Sequence, residues 1–260
     1  MTPISLFAAN LIISVLVMGA GWRVSLLRKN VTVADSLWGI GFVLIAWHTF
    51  FQAEGYLPRK LLLCLLVTFW GVRLFVYMHI RNRDKGEDAR YTAWRKKHGA
   101  SFWWVSFFKV FMLQALFQWV VSFGVQYGGL QPVPAHMTML DLAGTLFWAA
   151  GFIVETAADR QLHRFLSRPE NRGKIMDQGL WRYSRHPNYF GESLMWWGIF
   201  VIVLSVPWGI WTIISPVLIT YTLLKLSGVS LMESVEFGNN PAYQEYARRT
   251  SAFIPWFPKR

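Results

Sequence analysis

The sequence predicts an all-α protein that crosses a lipid bilayer seven times. Three observations carry that expectation: apolar runs of spanning length, basic residues gathered between those runs, and Trp residues near their ends. Apolar residues make up 54% of the chain and the formal net charge is +12. A basic excess of this kind also suits nucleic-acid binding. Here the Lys and Arg residues interrupt long apolar runs, which is the pattern of a polytopic membrane protein with cationic loops.

The apolar runs lie at roughly residues 3–22, 34–52, 61–80, 102–125, 138–158, 188–206 and 208–226 by the length needed to cross a bilayer. The first lacks a basic leader and a small-residue cleavage site, so it reads as a retained span, not a signal peptide. Trp22, Trp38, Trp181 and Trp208 suit interfacial anchors. Val206-Pro207-Trp208-Gly209 is a very short link, so the last two helices form a hairpin. Cys64 has no second cysteine to pair with.

Charge sets the orientation. Arg23, Arg28 and Lys29 follow span one, a dense basic set from Arg81 to Lys97 follows span three, and another from Arg160 to Arg185 follows span five. Lys225, Arg248, Arg249, Lys259 and Arg260 lie at or beyond the end of span seven. The opposite side keeps Arg59 and Lys60. The positive-inside rule places the N-terminus outside and the C-terminus in the cytoplasm, as in a multi-pass protein of a bacterial inner membrane. The cytoplasmic loops also carry carboxylates, Asn and Tyr, which a topology signal does not need.

Several chemistries have no motif here. There is no phosphate-binding P-loop and no dinucleotide fingerprint after a strand. The six His residues are scattered, and no metal centre is expected. Polar residues at membrane depth are costly unless they pair or line a cavity. Glu54 and Gln52 sit at the outer end of span two, Arg73 in the middle of span three, Gln114 and Gln118 on one face of span four, and Glu155 and Asp159 at the end of span five. Helix–helix hydrogen bonding is the simpler reading of the two Gln residues. For Arg73, a buried ion pair and a substrate contact stand as alternatives.

Residues 179–192, Gly-Leu-Trp-Arg-Tyr-Ser-Arg-His-Pro-Asn-Tyr-Phe-Gly-Glu, hold more polar machinery than packing requires. Pro187 fits the first turn of a helix, and Asn188 and Glu192 then share a face four residues apart. Arg182, Arg185 and His186 precede its positive N-terminal end, a ready phosphate site.

This run, with Asp159 ahead of it, the Gly86–Tyr91 loop and the ending Tyr246 to Pro255, resembles the steroid 5α-reductase family, its bacterial members in particular. The resemblance spans essentially the whole chain. It implies a single membrane domain over 1–260, with substrate-side helices in 1–125 and a cofactor-binding part in 138–260. It implies NADPH taken from the cytoplasm and a lipophilic enone, such as a 3-oxo-Δ4 steroid, taken from the surrounding membrane lipid by a monomer. Asp159, Asn188, Glu192, Lys225 and Glu233 match cofactor positions, and Arg83 and Lys85 fall in the matching basic loop. Asn82, Tyr183, His186, Tyr189 and Tyr246 complete the candidate cofactor contacts, with Arg164, Arg168, Arg185 and Lys225 as phosphate ligands. Glu54 matches the carbonyl-activating Glu, with Gln52 one residue out of step. The register of Arg73 to Tyr77 puts Trp70 where that family has a catalytic Tyr, and an indole can donate a hydrogen bond but not a proton. Glu54, Gln52, Trp70 and Arg73 are therefore the expected catalytic set. A carboxyl kept neutral in a dry pocket can donate a hydrogen bond to the enone oxygen. The alternative is an S-adenosylmethionine-dependent membrane methyltransferase of the isoprenylcysteine or phospholipid type, whose members carry a similar Arg-His-Pro-Asn-Tyr run.

Overall fold

The computed structural model describes residues 2–83, 86–226 and 240–259. They are helical with no strand among the described residues. Two compact units form, Met1–Thr138 with Val203–Ser215, and Met139–Ile202 with Pro216–Arg260.

In the first unit α1 (Pro3–Arg28), α2 (Val33–Gln52) and α3 (Leu57–Asn82) run up and down with short turns between them. Thr2 caps α1 by accepting from the Ser5 amide, and Pro3 occupies the first turn, where its missing N–H costs nothing. α2 and α3 approach backbone to backbone: a Cβ added at Gly39 would lie 2.5 Å from the Gly71 carbonyl oxygen. Small residues at such a crossing let helices gain close packing where the hydrophobic effect is absent. α4 (Ala89–His98) leads through a 3-10 turn, Gly99–Ser101, into α5 (Phe102–Ser106), a π-helical turn Phe107–Met112, and α6 (Leu113–Val121). The rod breaks at Ser122 and resumes as α7 (Phe123–Leu130).

The two ends of this unit differ in chemistry. At one end Tyr56 donates its amide to the Gln131 carbonyl, and buried Arg59 donates to the carbonyls of Pro134 at 3.1 Å and His136 at 2.9 Å. At the other end the Gly-Glu-Asp-Ala-Arg-Tyr loop is clasped onto the α1–α2 turn. Glu87 accepts from the Val31 amide at 2.9 Å and from Arg95 at 2.7 and 2.8 Å. The Asp88 amide donates to Thr32 Oγ1 at 2.9 Å, and its carboxylate caps α4. Arg90 bridges Asp88 at 2.9 Å and Asp35 at 3.0 Å, and the Tyr91 hydroxyl donates to Asp35 at 2.8 Å. Burial raises the Glu87 and Asp88 carboxyls, but the hydrogen bonds and charge of Arg95 and Arg90 outweigh it and hold both below the usual carboxylate range.

In the second unit α8 (Met139–Leu166) and α9 (Pro187–Val203) pack through two glycine contacts. A Cβ at Gly151 would meet the Gly191 carbonyl oxygen at 2.5 Å, and one at Gly144 would meet that of Gly198 at 2.4 Å. The 3-10 turn Gly209–Ile213 belongs to the first unit; α10 (Ile214–Tyr221), which follows it in the chain, belongs to the second from Pro216 onward and continues as a π-helical turn Thr222–Leu226. α11 (Pro241–Arg249) is capped by Asn240, which accepts from the amides of Ala242 and Tyr243.

Among the described residues, five helical segments are long and apolar enough to cross a membrane: Pro3–Arg28, Val33–Gln52, Leu57–Asn82, Ala89–Leu130 and Met139–Leu166. The last two spans expected from the sequence fall on shorter helices. α9 has 17 residues, because it starts at Pro187 and ends at the Leu204–Pro207 turn, and Gly209–Lys225 is divided between three helix types.

Candidate functional site

The motif segment of the second unit is built from the backbone outward. Gly179 has φ +59°, a left-handed conformation that starts the 3-10 turn Gly179–Arg182. The Leu180 amide donates to Gln161 on α8, and the Trp181 indole donates to the Ala158 carbonyl at 3.1 Å. From the other side, residues after α11 grip the same stretch. The Arg185 amide donates to the Ser251 carbonyl at 2.8 Å, Ser184 Oγ to that of Phe253 at 2.7 Å, and the Trp256 amide to that of Tyr183 at 2.9 Å. The Tyr246 hydroxyl donates to the carbonyl of Trp181.

This grip delivers His186 and Pro187 to the start of α9 and sets Asn188 and Glu192 against α8. Glu155 and Asp159 are 3% exposed and Glu192 6%, so three carboxylates are withdrawn from water on two adjoining helices. Asn188 Nδ2 donates to Asp159 Oδ1 at 3.3 Å, which fixes the amide with its oxygen turned away. That oxygen is buried and has no hydrogen-bond donor among the described residues. The His186 ring lies parallel to Tyr189, 2° between planes and 5.4 Å between centroids. Arg185 is half-buried, whereas Arg164, Arg168, Tyr183 and Lys225 are exposed.

Asp159, Asn188 and Glu192 are thus brought together with His186, Tyr189 and Arg185 close by in the chain. Tyr246 is brought in as a prop: its hydroxyl is spent on backbone. Glu155, adjacent to this set, was visible in the sequence as the partner of Asp159 four residues away, and a Cβ on Gly191 would meet its amide at 2.6 Å.

The remaining described candidates lie in the first unit. Asn82 and Arg83 end α3; the Asn82 side-chain Oδ1 accepts from Arg81 Nε at 3.3 Å, and Arg83 is exposed. Lys85 and Glu233 lie outside the described residues. Gln52 and Glu54 are exposed. Glu54 lines a cavity of about 420 Å³ with Phe7, Tyr127, Leu130 and Gln131. It therefore meets solvent, where the sequence reading required a dry pocket. Tyr127 was missed because 73 positions of chain, folded as several helices, separate it from Glu54; its hydroxyl donates to the Pro207 carbonyl at 2.9 Å. Trp70 is 2% exposed and packs edge-on against Phe42 at 5.4 Å. Phe42 is ten residues from Gln52, or about 15 Å of helix rise. Trp70 therefore sits far from the level of Glu54, and the two are not a pair. Arg73 is half-buried one turn further along α3. Gln118 donates to the carbonyls of Leu37 at 3.3 Å and Trp38 at 2.8 Å, the helix–helix role expected of it. No group of three or more His, Cys, Asp or Glu suited to a metal ion occurs among the described residues.

Comparison with known proteins places this geometry in a family. A family model described as a protein of unknown function, DUF1295, matches residues 21–250. The chain is a DUF1295 protein. The match takes in α2 to α11, and with them Glu54 and the Asp159–Asn188 pair of this DUF1295 chain. An uncharacterized protein of Schizosaccharomyces pombe, C594.04c, is 23% identical over 281 residues, covering 96% of this chain and 79% of the yeast protein. No solved structure matches.

Proposed function

We propose that this DUF1295 protein reduces the C=C bond of a lipophilic enone, such as a 3-oxo-Δ4 steroid, with NADPH. The observation that carries the reading is the hydrogen bond of Asn188 to Asp159 at the start of α9, which leaves the buried Asn188 amide oxygen as an acceptor, with Glu155 and Glu192 buried on the same two helices. Such an array suits a ligand rich in O–H and N–H donors, as ribose hydroxyls and a carboxamide are. The buried Asn188 oxygen is a place where one of those donors fits. Arg185, and the exposed Arg164, Arg168 and Lys225, are the groups assigned to the phosphates, for which guanidinium forks are well shaped. When bound, the nicotinamide supplies the hydride for the alkene carbon. DUF1295 includes steroid 5α-reductase-like proteins, in keeping with this assignment.

The chain's own part in the chemistry is assigned to Glu54. The cavity it shares with Phe7, Tyr127 and Leu130 is mostly apolar with few polar groups, the usual make-up of a small-molecule site. A substrate seated in that cavity shuts Glu54 off from water; the carboxyl, then neutral, donates a hydrogen bond to the substrate carbonyl and stabilises charge developing on that oxygen. Seven membrane crossings, with the Gly86–Tyr91 clasp on the cytoplasmic side and Arg59 outside, complete the reading. The test is NADPH consumption in detergent against a panel of 3-oxo-Δ4 steroids, with a product two hydrogens heavier. Glu54→Gln should abolish turnover and leave NADPH affinity nearly unchanged. Buried carboxylates on α8 and α9 equally suit a cationic ligand, which keeps an S-adenosylmethionine-dependent methyltransferase as the second reading. Calorimetry that finds S-adenosylmethionine bound and NADPH not bound reverses the choice.

A further inference from the structure

Near the Glu54 end of the first unit, a chain of hydrogen bonds through three helices determines the tautomer of a histidine. Gln126 Nε2 donates to the Trp119 carbonyl at 2.9 Å and to Ser122 Oγ at 2.8 Å. A backbone carbonyl only accepts, so the atom facing it is the amide nitrogen, and the Gln126 oxygen faces Asn10. Asn10 must then offer its nitrogen to Gln126 Oε1, at 3.0 Å, and the same nitrogen donates to Thr49 Oγ1 at 3.0 Å. Asn10 Oδ1 is left for His48, 2.7 Å from Nδ1. An amide oxygen cannot donate, so Nδ1 of His48 bears the hydrogen. In a neutral imidazole Nε2 is then a lone-pair acceptor of fixed direction. Among the described residues no donor reaches it.

Asn10 and Gln126 are fully buried and Thr49 is 2% exposed, whereas His48 is half-buried. The network is closed on its inner side and open at the imidazole. His48 lies four residues from the end of α2, about 6 Å of helix rise. Around it Trp47, Phe50 and Phe51 cluster at 5.3 to 5.7 Å, with Phe51 72% exposed and the Lys60 ammonium 5.0 Å from the Phe50 ring. Aromatics joined by a cation mark the membrane interface. That is the depth at which the hydroxyl of a bilayer amphiphile lies. Satisfying Asn10 needs only an N–H, and an ionisable ring in a spanning helix is an expensive way to supply one.

We infer that His48 Nε2 receives the hydroxyl group of a bilayer-soluble alcohol. The inference is independent of the nucleotide, so it is tested without one. The probes are a steroid alcohol and its O-methyl ether, titrated into the full chain in detergent. The wild type should bind the alcohol about fivefold or more tightly than the ether, the worth of one hydrogen bond. His48→Asn sets an amide N–H where Nδ1 was and removes Nε2; it should keep the wild-type melting temperature and lose the preference. His48→Gln loses the bond to Asn10 and should melt earlier. Nitrogen NMR of the wild-type imidazole should report the Nδ1–H tautomer, with the Nε2 signal moving on addition of the alcohol and not of the ether. Equal binding of both probes by the wild type, an unmoved Nε2 signal, or a preference retained in His48→Asn overturns the inference. Each of these outcomes leaves NADPH consumption to be judged on its own.

Discussion

Asn188 donates its side-chain amide to Asp159 across 29 positions of sequence, joining the Arg-His-Pro-Asn motif to a carboxylate on α8. The bond does two things at once. It orients Asn188, and it leaves the amide oxygen as a buried acceptor beside acidic neighbours.

Removing that oxygen should be felt by the nucleotide more than by the fold. Asn188→Ala should weaken NADPH binding by about tenfold, the order of a buried hydrogen bond with its desolvation cost. Titration calorimetry against the wild type measures it. An unchanged affinity would remove Asn188 from the cofactor contacts.

The α8–α9 contact has no room for a methyl group. A Cβ at Gly191 would lie 2.6 Å from both the Glu155 amide and the Gly151 carbonyl oxygen. These are backbone atoms that cannot swing aside, so Gly191→Ala should destabilise by about 1–3 kcal/mol through overpacking. Thermal unfolding in detergent should show the loss, together with weakened NADPH binding, because the same helices carry Asp159 and Asn188.

Tyr246 should separate stability from contact. Its hydroxyl is buried and donates to the Trp181 carbonyl, so Tyr246→Phe leaves that acceptor unmet and should cost about 1–2 kcal/mol. Folded Tyr246→Phe protein should still bind NADPH close to normally. A large affinity loss with no change in melting would make Tyr246 a direct ligand after all.

The clasp on the α1–α2 turn should respond to acid. Glu87 is held below its ordinary carboxylate value in the folded chain, so its contribution to stability is present above the unfolded value of about 4.3 and is lost as pH falls through the folded one. Glu87→Gln should melt below the wild type at neutral pH, and the two curves should converge in strong acid. A difference that persists unchanged at low pH would rule out the charge as its source.

Part of this was legible before any coordinates. Apolar runs and basic loops announced a helical membrane protein, since spanning length and loop charge are properties of consecutive residues. The i,i+4 pairs Asn188–Glu192 and Glu155–Asp159 were likewise readable, because helical periodicity alone puts each pair on one face. Helix endings were not so readable. The segments at 188–206 and 208–226 read as full spans, but Pro187, the Leu204–Pro207 turn and the changes of helix type shortened or divided them.

The sequence by itself determined the class of protein, the two pairs and the motif that opens α9. Tertiary structure alone decided that those pairs meet through Gly151 and Gly191, that Tyr246 props a backbone turn, that Trp70 stands apart from Glu54, and that His48 carries its hydrogen on Nδ1. Each of these depends on which helices touch and on which atom is left to accept once backbone groups have chosen their partners. That information lies in contacts between residues 29 to 116 positions apart, which no local pattern encodes.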